Sequence, residues 1–119
     1  MSTRNLGLLG EQIASKYLEN LGYKVIERNF NCKIGEIDIV ALDRDILVFV
    51  EVKARWSKEF GLPEEAITPW KIRKIIKTGE YYKLLHQNLP DSLRIDAVAI
   101  DLSSDGETKE IRYFKNISQ

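Results

Sequence analysis

Two carboxylates and a lysine interrupt runs that otherwise read as apolar strands. Asp38 lies within Gly35-Glu36-Ile37-Asp38-Ile39-Val40, and Glu51 and Lys53 lie within Val48-Phe49-Val50-Glu51-Val52-Lys53. An acid, a gap, then acid-x-lysine supplies hard oxygen ligands for a divalent cation with an ammonium beside them. Such a set suits phosphodiester hydrolysis, and its ligand chemistry selects Mg²⁺ or Mn²⁺. Ionised groups are costly to bury unless they are paired or bind a metal, so these three need partners. The intervening Asp43-Arg44-Asp45 predicts a turn, and the two runs a β-hairpin. In an antiparallel pair the numbers of opposed residues have a constant total. If Leu42 faces Leu47 that total is 89, and Asp38 then faces Glu51. Opposed Cβ atoms lie roughly 5 Å apart, a separation at which two like charges repel unless a cation intervenes. Glu51 and Lys53 are two apart on one strand and share that face. An even total would put the two acids on opposite faces and dissolve the site. The alternative without chemistry is a buried salt-bridge cluster.

The elements that position these residues follow from periodicity. Leu6, Leu9, Ile13, Tyr17, Leu18 and Leu21 predict an amphipathic helix over residues 6–21, stopped by Gly22. Gly7 and Gly10 lower its propensity, which points either to a close approach by another group or to fraying. Residues 23–29 read as a first strand, 29–33 as a loop, and 35–54 as the hairpin. Gly61 and Pro63 mark a loop over 55–67, with one helical turn at Glu64 to Ile67. Thr68-Pro69 is a cap followed by a first-turn proline, opening a second helix that runs to about His86. Its apolar positions are Ile72, Ile75, Ile76, Tyr82 and Leu85, with Lys71, Lys74 and Lys77 toward another side. Residues 93–101 and 110–115 predict two more strands, joined by a turn at Ser103-Ser104-Asp105-Gly106. The order is α, three strands, α, two strands, which permits a mixed sheet flanked by helices.

The chain has 119 residues, 44% of them hydrophobic, which predicts one domain with a real core. No run is long and apolar enough to span a membrane, and the N-terminus lacks a secretory pattern, so no membrane partner and a cytoplasmic location are expected. Cys32 is the single cysteine, which excludes an internal disulfide. Eighteen basic and eighteen acidic residues balance, which argues against coating nucleic acid by charge alone. The distribution is uneven. Lys53, Arg55, Lys58, Lys71, Arg73, Lys74 and Lys77 outnumber Glu59, Glu64 and Glu65 in one stretch that also carries Trp56 and Trp70. Such a stretch suits phosphates and bases, although a solvated helix face with two core-edge tryptophans would look the same.

Further motifs accompany the hairpin: Gly10-Glu11, Ala14 and Tyr17-Leu18 on the first helix, Phe60-Gly61-Leu62-Pro63-Glu64-Glu65-Ala66 in the loop, Lys71 on the second helix, and Arg94-Ile95-Asp96 on the fourth strand. With Gly35-Glu36-Ile37-Asp38 and Phe49-Val50-Glu51-Val52-Lys53-Ala54-Arg55, the chain resembles the PD-(D/E)XK nuclease superfamily of restriction endonuclease-like fold. Within it, the chain resembles the small bacterial YraN-like family of uncharacterised endonuclease-like proteins. The resemblance implies an α/β αβββαβ core similar to that of archaeal Holliday junction resolvases. It also implies that Asp38 and Glu51 bind the metal, that Lys53 orients or activates the attacking water, and that Glu11 is the helix acid that assists metal binding. The expected activity is metal-dependent hydrolysis of nucleic acid, DNA ahead of RNA, including branched or recombining DNA. The alternative is a module that keeps the fold and binds nucleic acid or a partner without cutting.

Arg55, Lys71 and Lys74 are then expected to position phosphates. Glu11 near a helix start also suits the helix dipole without any catalytic role. Asp96 is expected to pair with Arg94, and His86 is not expected to be a ligand. Symmetric cutting of two strands would take two sites related by a two-fold axis, hence a homodimer.

Overall fold

Strands that are apolar on both faces need cover on both sides, and two amphipathic helices supply it. The computed structural model describes residues 3–56 and 61–118. The elements are α1 (Thr3–Asn20), β1 (Lys24–Asn31), β2 (Glu36–Asp43), β3 (Ile46–Trp56), a 3₁₀ turn (Pro63–Ala66), α2 (Pro69–Leu85), β4 (Ser92–Leu102) and β5 (Thr108–Phe114). Met1, Ser2, Lys58, Glu59 and Phe60, which entered the sequence reading, lie outside the described residues. The five strands form one mixed sheet in chain order, with β3 and β4 parallel and the other neighbours antiparallel. A parallel pair needs a crossover, and α2 makes it. The αβββαβ core expected from the sequence is present, with β5 added at one edge.

Central strand β3 is buried along most of its length because each face meets a helix. Leu6, Ala14 and Leu18 of α1 cover Ile39, Val48, Val50, Val98 and Ile100. On the other side Ile75 and Tyr82 of α2 pack with Ile37, Val40, Leu47, Phe49 and Ile95. Two glycines set how closely the helices approach. A Cβ on Gly10 would lie 2.9 Å from Ala54 Cβ, and one on Gly79 would lie 2.6 Å from the Phe49 ring. The close approach suggested for α1 is therefore real at Gly10, whereas nothing lies near Gly7.

Some boundaries differ from expectation for identifiable reasons. Strand β1 continues to Asn31 instead of looping from Asn29, because Asn29 adopts φ +57 and the ladder resumes beyond it with Phe30 opposite Ile37. Strand β3 reaches Trp56, held by a parallel ladder that pairs it with Leu102. On α2 the buried stripe is Ile75, Thr78, Gly79 and Tyr82, while Leu85 is exposed. Lys71 falls one turn before Ile75 and is partly buried, whereas Lys74 and Lys77 are exposed.

Two charge clusters brace the sheet. Arg94 bonds Asp96 at 3.0 Å, Asp43 at 2.8 Å and the Tyr23 hydroxyl at 3.0 Å, as the expected Arg94–Asp96 pairing requires. Asp96 is fully buried and also accepts from the Tyr113 hydroxyl and from the Asn116 amide. Arg112 on β5 joins Asp101 to Glu64 of the 3₁₀ turn, fastening that segment to the sheet. His86 caps α2, with Nδ1 2.9 Å from the Tyr82 carbonyl and its ring stacked on Tyr82.

Candidate active site

The β2–β3 hairpin closes with Leu42 opposite Leu47 and keeps that register through Ile39 opposite Val50. The opposed numbers total 89, and the next positions along are Asp38 and Glu51. The backbone ladder gives way there. The Val52 N–H donates to Asp38 Oδ2 at 2.8 Å, so a side chain occupies the place where β2 and β3 separate. This bond fixes the Asp38 carboxyl beside Glu51.

Burial is the main force on the Asp38 proton. Together with a hydrogen bond to Glu51 and the charge of that neighbour, it pushes the Asp38 carboxyl up to about 8. Glu51 is only 7% exposed. Two carboxyls this close cannot both ionise cheaply, so the pair keeps a proton, with Asp38 as donor. The Lys53 amine is held below the usual lysine range, chiefly by burial and then by a hydrogen bond from Lys71. For Lys71 burial acts in the same downward direction but is outweighed by that bond and by the Glu51 charge, and the net direction is upward. Its Nζ lies 3.5 Å from Glu51 Oε2. Lys71 gets there because Thr68 Oγ1 accepts from the Lys71 N–H at 3.2 Å, setting the first turn of α2 against the hairpin.

Glu11 stands beside the pair. Its carboxyl is raised by burial, opposed by a hydrogen bond with Asn29, and raised again by the Asp38 charge. Glu11 Oε1 is buried with no hydrogen-bond donor, and Arg28 Nη2 is 4.0 Å away. The close packing of Gly10 on Ala54 is what brings this turn of α1 to the sheet.

These observations bear on whether a divalent cation suits the residues present. The candidate donors are all carboxylate oxygens, the Asp38–Glu51 pair holds a proton that a cation would displace, and one Glu11 oxygen lacks a partner. Among the described residues no three acid, histidine or cysteine side chains form a closed metal cage. Mg²⁺ characteristically takes one or two carboxylates and completes its shell with water and substrate oxygens, so Asp38 and Glu51 fit it.

The cation-bearing residues separate into two groups. Lys71 and Lys74 line a cleft of about 190 Å³ with Gly35, Glu36, Glu51, Trp70 and Ile75. Arg55 does not line that cleft; its Nη1 lies 3.9 Å from where a Gly61 Cβ would be. Reading the sequence missed that Lys71 serves the acid pair before any phosphate. The signal was present in the spacing of Lys71, Ile75, Thr78 and Tyr82, which puts the lysine on the buried stripe. The Val52 amide and the Asn29 side chain carried no comparable signal. No helix among the described residues is long and apolar enough to cross a membrane.

The model of the uncharacterised protein family UPF0102 matches residues 10–100, which include Glu11, Asp38, Glu51, Lys53 and Lys71. A UPF0102 protein of Clostridium botulinum (strain Hall) is 41% identical over 119 residues, covering 98% of this chain and 95% of its own length. One from Clostridium perfringens (strain 13) is 37% identical over 113 residues, covering 95% and 93%.

Proposed function

This chain belongs to the UPF0102 family, the YraN-like family that its motifs resemble, and we propose that it is a metal-dependent nuclease hydrolysing phosphodiester bonds of DNA. The observation that carries the proposal is the placement of Asp38 against Glu51 by the Val52 amide, with two lysine amines at the same spot. Asp38 and Glu51 would hold Mg²⁺ or Mn²⁺, which when bound supplies charge to the phosphate oxygens and lowers the pKa of water. Lys53, its ammonium form disfavoured by burial, can accept a hydrogen bond from the attacking water or, when protonated, donate to the phosphoryl oxygen. Lys71 holds its proton firmly and supplies a fixed positive charge beside Glu51. In the reaction the water oxygen forms a new P–O bond as its proton passes to the neutral Lys53 amine or to solvent, the P–O bond opposite breaks in line, and the leaving alkoxide takes up a proton from solvent. Glu11, whose charge is felt by Asp38, adds negative charge near the pair and would assist binding of the cation. Branched or recombining DNA is the substrate class the resemblance favours, and a homodimer would give two such sites.

One observation favours a non-cleaving module instead. The Lys71–Glu51 ion pair gives Glu51 a cation with no metal involved. The two are separated by incubating labelled single strands, duplexes, flaps and four-way junctions with Mg²⁺ or Mn²⁺, with Lys53→Ala purified alongside. The nuclease predicts metal-dependent cutting that falls about 10²-fold or more in the variant. Equal traces in both preparations, with binding retained, would establish the module.

A further inference from the structure

We infer that Trp70 is a stacking platform for an unpaired base, so that the strand entering this site carries an unstacked nucleotide next to the phosphate held at Glu51. The inference rests on the nuclease proposed above and assigns its substrate class. Trp70 sits in the first turn of α2 and is 61% exposed, although an indole is a large apolar group to leave in water. Lys74 Nζ lies 4.9 Å from the centre of its ring, so the indole carries a cation beside it while most of the residue is exposed. The tryptophan and Glu51 line the same cleft, so a base resting on the indole would be continuous with a phosphate at the acid pair.

Three features select an unpaired nucleotide over other occupants. A cleft of about 190 Å³ is smaller than the ~300–1,000 Å³ typical of pockets that enclose small ligands, and suits part of a strand. Lys74 lies against the ring and offers charge to a phosphate beside the base, while Lys71 lines the same cleft at Glu51. In a duplex each base is already stacked on both faces, whereas an unpaired base can exchange solvent for the indole at little cost. Glu36 also lines the cleft and disfavours additional phosphates, which limits the seat to a short stretch of strand.

The test uses the whole chain in Ca²⁺ or EDTA, where cutting is suppressed, with a labelled oligothymidylate and a duplex of equal length read by fluorescence anisotropy. Trp70→Ala is expected to weaken single-strand binding about ten-fold and to change duplex binding less than two-fold, with Trp70→Phe recovering most of the loss. In a Trp56→Phe chain, where Trp70 is the only tryptophan, its fluorescence is expected to be quenched by the single strand and not by the duplex. This second reading leaves Trp70 intact and so does not depend on how the alanine variant folds. Equal losses for both substrates, or an unquenched Trp70, would overturn the platform. Cleavage assays with Mg²⁺ keep the two proposals apart. Cutting without Trp70 dependence leaves the nuclease and removes the platform, while Trp70-dependent binding without cutting leaves a single-strand binding site and removes the nuclease.

Discussion

Replacing Asp38 with asparagine should stabilise the metal-free protein at alkaline pH and leave it nearly unchanged at acid pH. Burial and the neighbouring Glu51 raise the folded-state pKa of Asp38 to about 8, against about 3.9 for an unfolded aspartate. Between those values the folded chain binds more protons than the unfolded one, so stability falls as pH rises and is fully present only below the unfolded pKa. The slope for one such group is about 1.4 kcal/mol per pH unit, so the interval from roughly pH 5 to roughly pH 7 removes about 3 kcal/mol. An asparagine keeps an oxygen for the Val52 amide and offers an N–H to Glu51, and it has no charge to bury. The assay is urea unfolding in EDTA at several pH values. At an m near 2 kcal/mol/M, a difference of about 3 kcal/mol moves the midpoint by about 1.5 M. Excess Mg²⁺ should then close most of that gap at pH 7, since ligand at a hundred-fold excess over its Kd adds about 2.7 kcal/mol to wild type and little to the variant. Parallel pH dependences for the two proteins would refute the shared proton, whatever else the site does.

Gly10→Ala should cost about 1–3 kcal/mol by overpacking, against a helix-propensity gain of about 1 kcal/mol, because its Cβ would press on Ala54. Adding Ala54→Gly should recover most of the loss in thermal or urea unfolding, and additive losses instead would mean that the contact is not the cause. Arg94→Met should cost about 3–5 kcal/mol by leaving buried Asp96 without its cation. A second substitution, Asp96→Asn, should restore much of that in the same assay, and a double variant as unstable as the single one would contradict the account.

The hairpin and its register could be read from the sequence because everything that determines them is local: alternating apolar residues, a short turn, and Leu42 facing Leu47. That was enough to oppose Asp38 and Glu51 before any tertiary structure was considered. Helix α2 was legible in extent, since Thr68 and Pro69 announce its start. Its buried face was legible at Ile75 and Tyr82 but not between them, because Thr78 and Gly79 have almost no apolar signature. Gly79 is there to admit the Phe49 ring, and that requirement exists only once helix and sheet meet. The Arg94 cluster was half visible, because Arg94 and Asp96 alternate on one strand, while Tyr23, Asp43 and Tyr113 come from distant segments. The far end of β3 was hidden too, since a parallel partner some forty residues away leaves no mark on the local pattern.

Surface turns usually absorb inserted or deleted residues with little consequence. The turn at Arg44 and Asp45 is at the surface and far along the hairpin from the acids, yet it sets which residue of β3 each residue of β2 must face. One residue gained or lost there would change the parity of the pairing and turn Asp38 away from Glu51 unless a bulge absorbed the change. The core would register the slip as well, because Ile39 and Val40 pack against opposite helices and would exchange sides. Descendants of this sequence can therefore vary the identity of the turn residues far more freely than their number. A loop without chemistry of its own carries a length constraint inherited from a site at the other end of the strands.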